Sequence, residues 1–239
     1  MTDHSHVVAI DGPAAAGKST VARLLAERLG AMLFDTGTLY RALTLAAQRN
    51  GVPADDGPAL ARLAEQSHLD ILPPSQGDGR LYDVLLDGED VTWPIRDPKV
   101  EANVSEVAAH REVRDALLPA QRRIATGRVV IVGRDIGSVV VPDASVKVFL
   151  EATVEERARR RYLELVQRGQ HPEFEHVLRD LRARDEVDST RSASPLRVPA
   201  GALVLTTDRM SVDDVVDHLE EKVRTVWSTL AATPLASRP

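Results

Sequence analysis

The 239-residue sequence has no cysteine, which excludes disulfides, thiolate nucleophiles and cysteine-based zinc sites. It also lacks an apolar run approaching roughly 18 residues and a basic, then apolar, N-terminal leader. We therefore expect neither a membrane span nor a secretory signal, and a cytoplasmic location. Positive charge is not in excess, because the net charge is −6. Since affinity for nucleic acid comes mostly from neutralising phosphates, we expect no nucleic-acid partner.

Lysine is scarce, because only four of the 30 basic residues are lysines, at positions 18, 99, 147 and 222. Arginine is correspondingly frequent, and a cluster of arginines without a specific spacing carries little weight. The apolar fraction of 43% and the charged fraction of 28% are ordinary for a folded protein with a sizeable core. The sequence predicts a single domain over residues 1–239.

One stretch has a specific pattern. Residues 12–19 read Gly-Pro-Ala-Ala-Ala-Gly-Lys-Ser, which is the spacing of a phosphate-binding loop. A short apolar run, Val7 to Ile10, precedes it and predicts a buried strand, while residues 19–29 predict a helix. The alternative is a glycine-rich turn between strand and helix, which would require neither the lysine nor the hydroxyl.

The residue types in this loop suit a polyphosphate. Glycines at 12 and 17 let successive backbone N–H groups point inward, and the helix that follows adds its positive end to the same cavity. Lys18 would reach the β and γ phosphates, and the Ser19 hydroxyl would ligate Mg²⁺, which prefers oxygen ligands and keeps most of its own waters. The loop therefore predicts nucleotide binding but not a particular reaction.

Strands alternate with helices along the rest of the chain. Predicted strands cover residues 31–34, 129–132, 146–150 and 203–206. Predicted helices cover residues 39–48, 59–66, 98–125 with a break at His110, 155–167 and 212–227. A further helix follows the one at 155–167 and ends near residue 184. Residues 68–72 and 81–86 resemble a small antiparallel pair. This order predicts an α/β fold with a central parallel sheet flanked by helices and an inserted subdomain.

Arginines near predicted strand and helix ends give the second indication. Arg134 follows the buried run 129–132, at the end where parallel sheets bind ligands, and Arg41 lies just beyond the second strand. Guanidinium groups that converge on one phosphate would position a phosphomonoester acceptor. Taken alone, Arg41 is better explained as an arginine on a solvated helix face, because lone arginines are usually surface groups with long apolar stems.

A predicted helical hairpin carries four more arginines, at positions 157, 159, 160 and 161. At about 100° per residue they cannot all face one ligand. Residues 169–172 interrupt the helical pattern, and a hairpin over approximately 157–187 would close over phosphates as a lid, against the alternative of a plain helical hairpin. Beyond it, Arg184, Asp188 and Arg191 would line one helix face, although such pairing is also common on surfaces.

These residues resemble a known family, the bacterial cytidylate kinases among the nucleoside monophosphate kinases. The segments that carry the resemblance are Ile10 to Thr20 (IDGPAAAGKST), Asp35 to Arg41 (DTGTLYR), Gly88 to Val91 (GEDV), Ile95-Arg96, Gly133 to Ala144 (GRDIGSVVVPDA) and Arg184 to Leu196 (RDEVDSTRSASPL). The resemblance implies a P-loop kinase fold with a monophosphate-binding insert and a helical lid. It also implies phosphoryl transfer from ATP to CMP or dCMP with Mg²⁺, by an enzyme that is usually monomeric.

The resemblance also implies roles for individual residues. ATP would be bound by Gly12, Pro13, Ala14, Ala15, Ala16, Gly17, Lys18, Ser19 and Thr20, with Arg157 and Arg161 from the lid. The acceptor phosphate would be bound by Arg41, Arg134 and Arg191, and the sugar by Arg184 and Asp188. Cytosine would be read by Ser105, Arg114 and Asp135, with Thr36 and Tyr40 lining the same pocket. Lys18, Arg134 and Arg191 would be the catalytic residues, and Ser19 would be the protein's metal ligand.

The resemblance extends to the segments around these residues, with one departure. The monophosphate-binding region would cover approximately 37–115 with the insert at 63–98, and residues 229–239 are expected to fray. Family members commonly carry an acid before the Gly-Arg-Asp triplet, where this chain has Val132. Asp11, Asp35 or Asp135 would then hold magnesium waters, or Ser19 and the phosphates would suffice.

Two other functions remain open from the residues. A P-loop kinase for a metabolite hydroxyl, such as that of shikimate or gluconate, would need an acid or base near that hydroxyl. A nucleotide-responsive switch would need no acceptor, although the chain has no guanine-reading Asn-Lys-x-Asp segment. The predicted arginine sites favour a monophosphate acceptor over both.

Overall fold

The computed structural model describes residues 3–190 and 194–232. The elements along the chain are β1 (Val7–Asp11), α1 (Lys18–Leu29), β2 (Met32–Asp35), α2 (Gly37–Arg49), α3 (Gly57–Gln66), β3 (Leu69–Leu72), β4 (Asp83–Leu86), β5 (Glu89–Asp90), α4 (Pro98–Val107), α5 (Arg111–Ile124), β6 (Val129–Val132), β7 (Val146–Glu151), α6 (Val154–Gln167), α7 (Phe174–Thr190), β8 (Leu203–Thr206) and α8 (Val212–Ala232). They fall into two compact units. The first holds residues 32–126, and the second holds residues 3–31 and the chain from 127 onward.

The second unit contains a parallel arrangement of strands in the order β6-β1-β7-β8. Val8 of β1 is in register with Val130 of β6 and with Val146 of β7. Every residue of β1 and β6 is buried, as their continuous β-branched runs predict for strands covered on both faces. The predicted parallel sheet is therefore present, and the carboxyl ends of these strands lie along one edge of it.

Helix α8 packs against α1 in this unit. Its buried residues are Val215, Val216, Leu219, Val223 and Trp227, which recur at the spacing of one helix face. The helix continues through Ala232. Residues 229–232, part of the tail predicted to fray, are therefore helical, and residues 233–239 lie outside the described part of the chain.

Helices α6 and α7 pack against each other as the predicted hairpin. Helix α6 begins after Thr153, whose hydroxyl accepts a hydrogen bond from the backbone N–H of Glu156 at 3.4 Å. Gly169, with a φ of +76°, lies between the two helices. Helix α7 runs to Thr190, beyond the predicted end near residue 184.

The first unit contains the inserted antiparallel strands in the order β3-β4-β5. Asp87 and Gly88 both have positive φ, +52° and +84°, which matches the two-residue turn predicted between β4 and β5. The predicted helical break is also present, because His110 is extended, with φ −68° and ψ 126°, between α4 and α5.

The insert is held by a buried arginine. The Arg80 side chain is 3% exposed and donates hydrogen bonds to Asp78, Asp83 and Asp90 at 2.6 to 3.1 Å. The indole N–H of Trp93 donates to Asp78 at 2.8 Å. One guanidinium thus joins the ends of β4 and β5 to the loop that precedes them.

The sequence did not predict two short helices, a 3₁₀ helix at Pro94–Arg96 and a π-helix at Ile136–Val140. The π-helix directly follows Asp135, and π-helices frequently occur at functional sites. Among the described residues, no helix combines the length and hydropathy needed to cross a bilayer.

Candidate active site

The loop between β1 and α1 has a backbone that requires its glycines. Gly12 has a φ of +148°, and a Cβ atom there would overlap the carbonyl oxygen of Leu150 in β7. Gly17 precedes α1 with a φ of +87°, and Ala15 also has a positive φ of +59°. Left-handed backbone is unfavourable for alanine, so the surrounding packing must hold the loop in this shape.

Lys18 closes the loop upon itself. Its ammonium Nζ donates to the carbonyl oxygen of Pro13 at 2.6 Å, and the residue is 6% exposed. A buried ammonium lacks most of its hydration, which strengthens its attraction for an anion. The lysine predicted to meet the β and γ phosphates therefore lies against the loop that would hold them.

The hydroxyl side chains that follow are accessible. Ser19 and Thr20 are both exposed in the first turn of α1, at its positive end. Within residues 3–190 and 194–232, no three His, Cys, Asp or Glu side chains form a group that could hold a metal ion. The donor set fits a Mg²⁺ ion that takes the Ser19 oxygen and is otherwise held by phosphates and water.

Asp11 joins the end of β1 to the segment after β6. Its carboxylate is fully buried and accepts hydrogen bonds from the backbone N–H groups of Ile136 at 2.7 Å and Gly137 at 2.8 Å. Burial raises the pKa of Asp11 to about 6; the charge of Asp135 also raises the pKa, while the two N–H donors and the Lys18 charge lower it. Both oxygens bind backbone, so Asp11 positions the chain around Arg134 and Asp135.

Arg134 and Asp188 bind each other. Nε of Arg134 donates to the Asp188 carboxylate at 2.8 Å, and the two side chains are 20% and 13% exposed. The family resemblance predicts the first residue at the acceptor phosphate and the second at the sugar, and both roles stay predictions. Arg184 is exposed on the same helix, α7, and Arg191 lies outside the described residues.

The lid arginines differ from one another in their partners. Arg157 is buried and its guanidinium binds the Asp185 carboxylate with two hydrogen bonds, at 3.0 and 2.6 Å. Arg161 is partly exposed and pairs with Glu164 in its own helix at 2.9 Å. Contact of either arginine with ATP stays a prediction.

Arg160, which the sequence places in the predicted hairpin without a role of its own, contacts Thr207, which no sequence pattern singled out. The terminal nitrogens of Arg160 donate to the hydroxyl of Thr207 at 3.0 Å and to its carbonyl oxygen at 2.7 Å. A Cβ atom on Gly17 would lie 3.9 Å from Arg160, which puts this guanidinium beside the loop. Thr207 directly follows β8, and a polar residue at the carboxyl end of a parallel strand was the available signal.

In the first unit, two residues predicted to surround the base are in contact. The Arg114 guanidinium lies 5.4 Å from the ring centroid of Tyr40, and both residues are buried. Gln121 donates to the Tyr40 hydroxyl at 3.3 Å. Thr36 is buried just before α2, whereas Ser105 is exposed on α4.

Arg41 has a single acidic partner in this unit. Its Nε and one terminal nitrogen donate to the same Glu101 oxygen at 3.1 and 2.9 Å, and its side chain is 29% exposed. Asp35 accepts from the backbone N–H of Gly37 at 2.9 Å and so supports the start of α2. Val132, at the position where the family commonly has an acid, is buried in β6.

The parallel strands, the glycine-bounded loop before α1 and the partnered arginines around it define a P-loop kinase. A family model described as cytidylate kinase matches residues 8–225. The chain belongs to the cytidylate kinase family, and it is a nucleoside monophosphate kinase.

Similar proteins cover most of the chain. A cytidylate kinase from Herpetosiphon aurantiacus is 50% identical over 88% of this chain and 90% of its own length. A cytidylate kinase from Shouchella clausii is 48% identical over 91% of this chain and 95% of its own. A third, from Roseiflexus castenholzii, is 46% identical over 88% of this chain and 90% of its own. The similarity therefore includes both units of the chain.

Proposed function

We propose that this protein transfers the γ-phosphoryl group of ATP to CMP and dCMP, with Mg²⁺, giving CDP or dCDP and ADP. The observation that carries the proposal is the arrangement in the second unit, where the loop before α1 and the Arg134 fork follow neighbouring parallel strands. One group suits a nucleoside triphosphate and the other a phosphate monoester. We further propose that the enzyme acts as a cytoplasmic monomer.

On the donor side, the loop residues 12–20 bind the triphosphate through backbone N–H groups. Lys18 shifts from the Pro13 oxygen to the β and γ phosphates as the nucleotide enters. Mg²⁺ held by Ser19, phosphates and water would neutralise charge on the transferred group. Among the lid arginines, Arg160 lies beside the loop, and Arg161 is partly exposed.

On the acceptor side, Arg134 exchanges one anion for another. Its carboxylate partner, Asp188, gives way to the acceptor phosphate and binds a sugar hydroxyl instead. Arg41 makes the corresponding exchange with Glu101, and Arg191 supplies a further contact to the phosphate. Each exchange replaces one charge-assisted hydrogen bond with another, so each guanidinium keeps an anionic partner throughout.

The base is recognised by hydrogen bonds and ring contacts. Asp135, Ser105 and Arg114 complement the amino donor and the carbonyl and ring-nitrogen acceptors of cytosine, with Tyr40 and Thr36 beside them. A site built to hydrogen-bond a particular group discriminates strongly against an analogue that lacks it. Asp135→Ala is therefore expected to reduce the preference for CMP over UMP by at least about tenfold. An unchanged preference would refute the assignment of Asp135.

Transfer occurs in line, without a covalent enzyme intermediate. The acceptor phosphate is anionic at neutral pH and needs no strong general base, so the protein contributes position and electrostatic stabilisation. Lys18 and Arg134 share the charge that develops on the equatorial oxygens, and the helical hairpin excludes water. A metabolite kinase, in contrast, would need an acid or base at the acceptor hydroxyl.

The test is a coupled ADP-release assay with ATP and Mg²⁺, in which CMP, dCMP, UMP, AMP, shikimate and no acceptor are compared. We expect fast turnover with CMP and dCMP only. Lys18→Ala should abolish it, whereas Lys147→Ala, which removes one of the three lysines outside the loop, should not. ADP release that ignores the monophosphates would favour a switch or ATPase, and turnover with shikimate would favour a metabolite kinase.

A further inference from the structure

The phosphate loop is held from outside by the helical hairpin. Ala14 of the loop belongs to the buried apolar cluster of α6 and α7, with Ala15 packed against it. The Arg157 guanidinium also donates to the carbonyl oxygen of Ala14 at 3.2 Å. Because Ala15 has a left-handed backbone, the loop depends on such contacts for its shape.

Arg157 has little capacity left for a ligand. Its Nε donates to Ala152 O at 3.0 Å, and its terminal nitrogens bind Ala14 and the two oxygens of Asp185. The side chain is 6% exposed. Four hydrogen bonds occupy a guanidinium that has five N–H groups.

Asp185 supplies the charge and the geometry for this arrangement. A carboxylate that faces a guanidinium with two parallel hydrogen bonds fixes its plane, which a single bond does not. Asp185 lies on α7, 28 residues along the chain from Arg157. Arg157 therefore bridges the loop and Asp185 of α7, and Asp185 orients the Arg157 guanidinium.

We propose that Asp185 is a positioning residue for ATP binding, which acts through Arg157 to hold the Ala14 carbonyl and hence the phosphate loop. The inference rests on the proposed function for the loop's ligand. Asp185 does not touch the nucleotide. Arg157 contributes to ATP affinity through the loop backbone and stays paired when ATP is bound.

The same two helices provide a matched control. Glu155 of α6 and Arg182 of α7 form an ion pair at 3.0 Å, with side chains 60% and 58% exposed. This pair bridges α6 and α7 without contact to the loop. Glu155→Gln therefore removes a comparable carboxylate from the hairpin and leaves the loop contacts intact.

The experiment measures ATP affinity by titration calorimetry with Mg²⁺ for the wild type, Asp185→Asn, Asp185→Glu, Arg157→Ala, the Arg157→Ala/Asp185→Asn double variant and Glu155→Gln. Loss of a charge-assisted pair should weaken ATP binding about tenfold in Asp185→Asn. Asp185→Glu keeps the charge and fold and should weaken it about threefold. Glu155→Gln should stay within about twofold of wild type.

The double variant separates positioning from general stability. If Asp185 acts through Arg157, Asp185→Asn adds no loss of ATP affinity once Arg157 is alanine. The KM for CMP should change less than twofold in Asp185→Asn. A general structural defect would instead weaken the binding of both ATP and CMP.

Two results would overturn the proposal. If Arg157 swings onto the phosphates itself, Asp185→Asn would free it and ATP binding would tighten or stay unchanged. If the loss in Asp185→Asn were the same in the Arg157→Ala background, Asp185 would not act through Arg157. A wild type that binds ATP but leaves CMP unphosphorylated would refute the proposed acceptor and not this inference.

Discussion

Two regions of the molecule combine arginine and aspartate in different proportions. In the insert, one guanidinium, that of Arg80, is surrounded by three carboxylates. In the second unit, Arg134 has one carboxylate partner among the described residues, Asp188. An incoming phosphate meets a net negative charge at the first cluster and a balanced pair at the second. The number of carboxylates therefore distinguishes Arg80, which holds the fold, from Arg134, for which we propose an exchange of partners.

The carboxylates of the two regions also differ in their pKa values. The pKa of Asp90 is lowered to about 2, through its hydrogen bonds with Thr92 and Arg80. The Asp11 carboxylate accepts hydrogen bonds from two backbone N–H groups, and its burial raises its pKa to about 6. A buried carboxylate that only backbone N–H groups satisfy is less stable as an anion than one beside a guanidinium.

The largest effect should follow from removing an exchangeable arginine. Arg134→Ala is expected to lower kcat with CMP on the order of 10³-fold, since an arginine that stabilises phosphoryl-transfer charge contributes that much. The thermal midpoint should change little, because only one carboxylate loses its partner. The measurement is steady-state kinetics beside thermal unfolding. Arg134→Lys serves as the control, and full activity in the lysine variant would show that the planar fork is not needed.

The contrast between Asp11 and Asp90 predicts a pH dependence. Folded Asp11 retains a proton between about pH 3.8 and 6 that the unfolded chain has lost. The stability from this proton is complete below about pH 3.8 and is lost as the pH rises to about 6. The difference in unfolding free energy between wild type and Asp11→Asn should therefore fall over that window by at most about 3 kcal/mol.

Urea unfolding at several pH values without nucleotide measures this difference. Asp90→Asn is the matched control, because the lowered pKa of Asp90 places its own pH dependence below about pH 4. Parallel stability curves for wild type and Asp11→Asn between pH 4 and about pH 6 would contradict the raised pKa of Asp11.

Removing the buried arginine of the insert should affect activity less than Arg134→Ala does, but it should clearly lower stability. Arg80→Ala leaves three aspartates close together without their cation, so the thermal midpoint should fall by several degrees. The KM for ATP should stay within about twofold, because Arg80 has only structural partners. Differential scanning calorimetry and kinetics at a temperature below the transition test both statements. A tenfold rise in the KM for ATP would remove the distinction between the two regions.

The smallest effect should come from the partner of Arg41. Glu101 is 54% exposed, so its ion pair with Arg41 is weak. Glu101→Gln should release Arg41 and lower the KM for CMP by about twofold. Glu89→Gln, which disrupts the exposed Arg49–Glu89 pair, is the control and should have no effect. An increase in the KM for CMP on Glu101→Gln would show that Glu101 orients Arg41 rather than competing for it.

Much of the fold follows from local patterns in the sequence. The phosphate-loop spacing, the β-branched runs of the parallel strands, the break at His110 and the turn at Asp87-Gly88 are each visible within about ten residues. Helix α7 extends beyond the predicted end because Asp185 and Asp188, in its last turns, bind arginines on other elements. Residue patterns along one helix do not report such partners.

By itself, the sequence determined where the chain bends, which runs are buried and which loop has the spacing of a phosphate-binding loop. Local backbone sterics and the burial of apolar side chains decide those features. Only the tertiary structure decided which charges meet: Asp185 with Arg157, 28 residues apart, and Asp188 with Arg134, 54 residues apart. It also put Asp11 on the N–H groups of Ile136 and Gly137, more than a hundred residues away. Electrostatic pairing depends on distance in space, which sheet order and helix packing determine, and no local spacing encodes it.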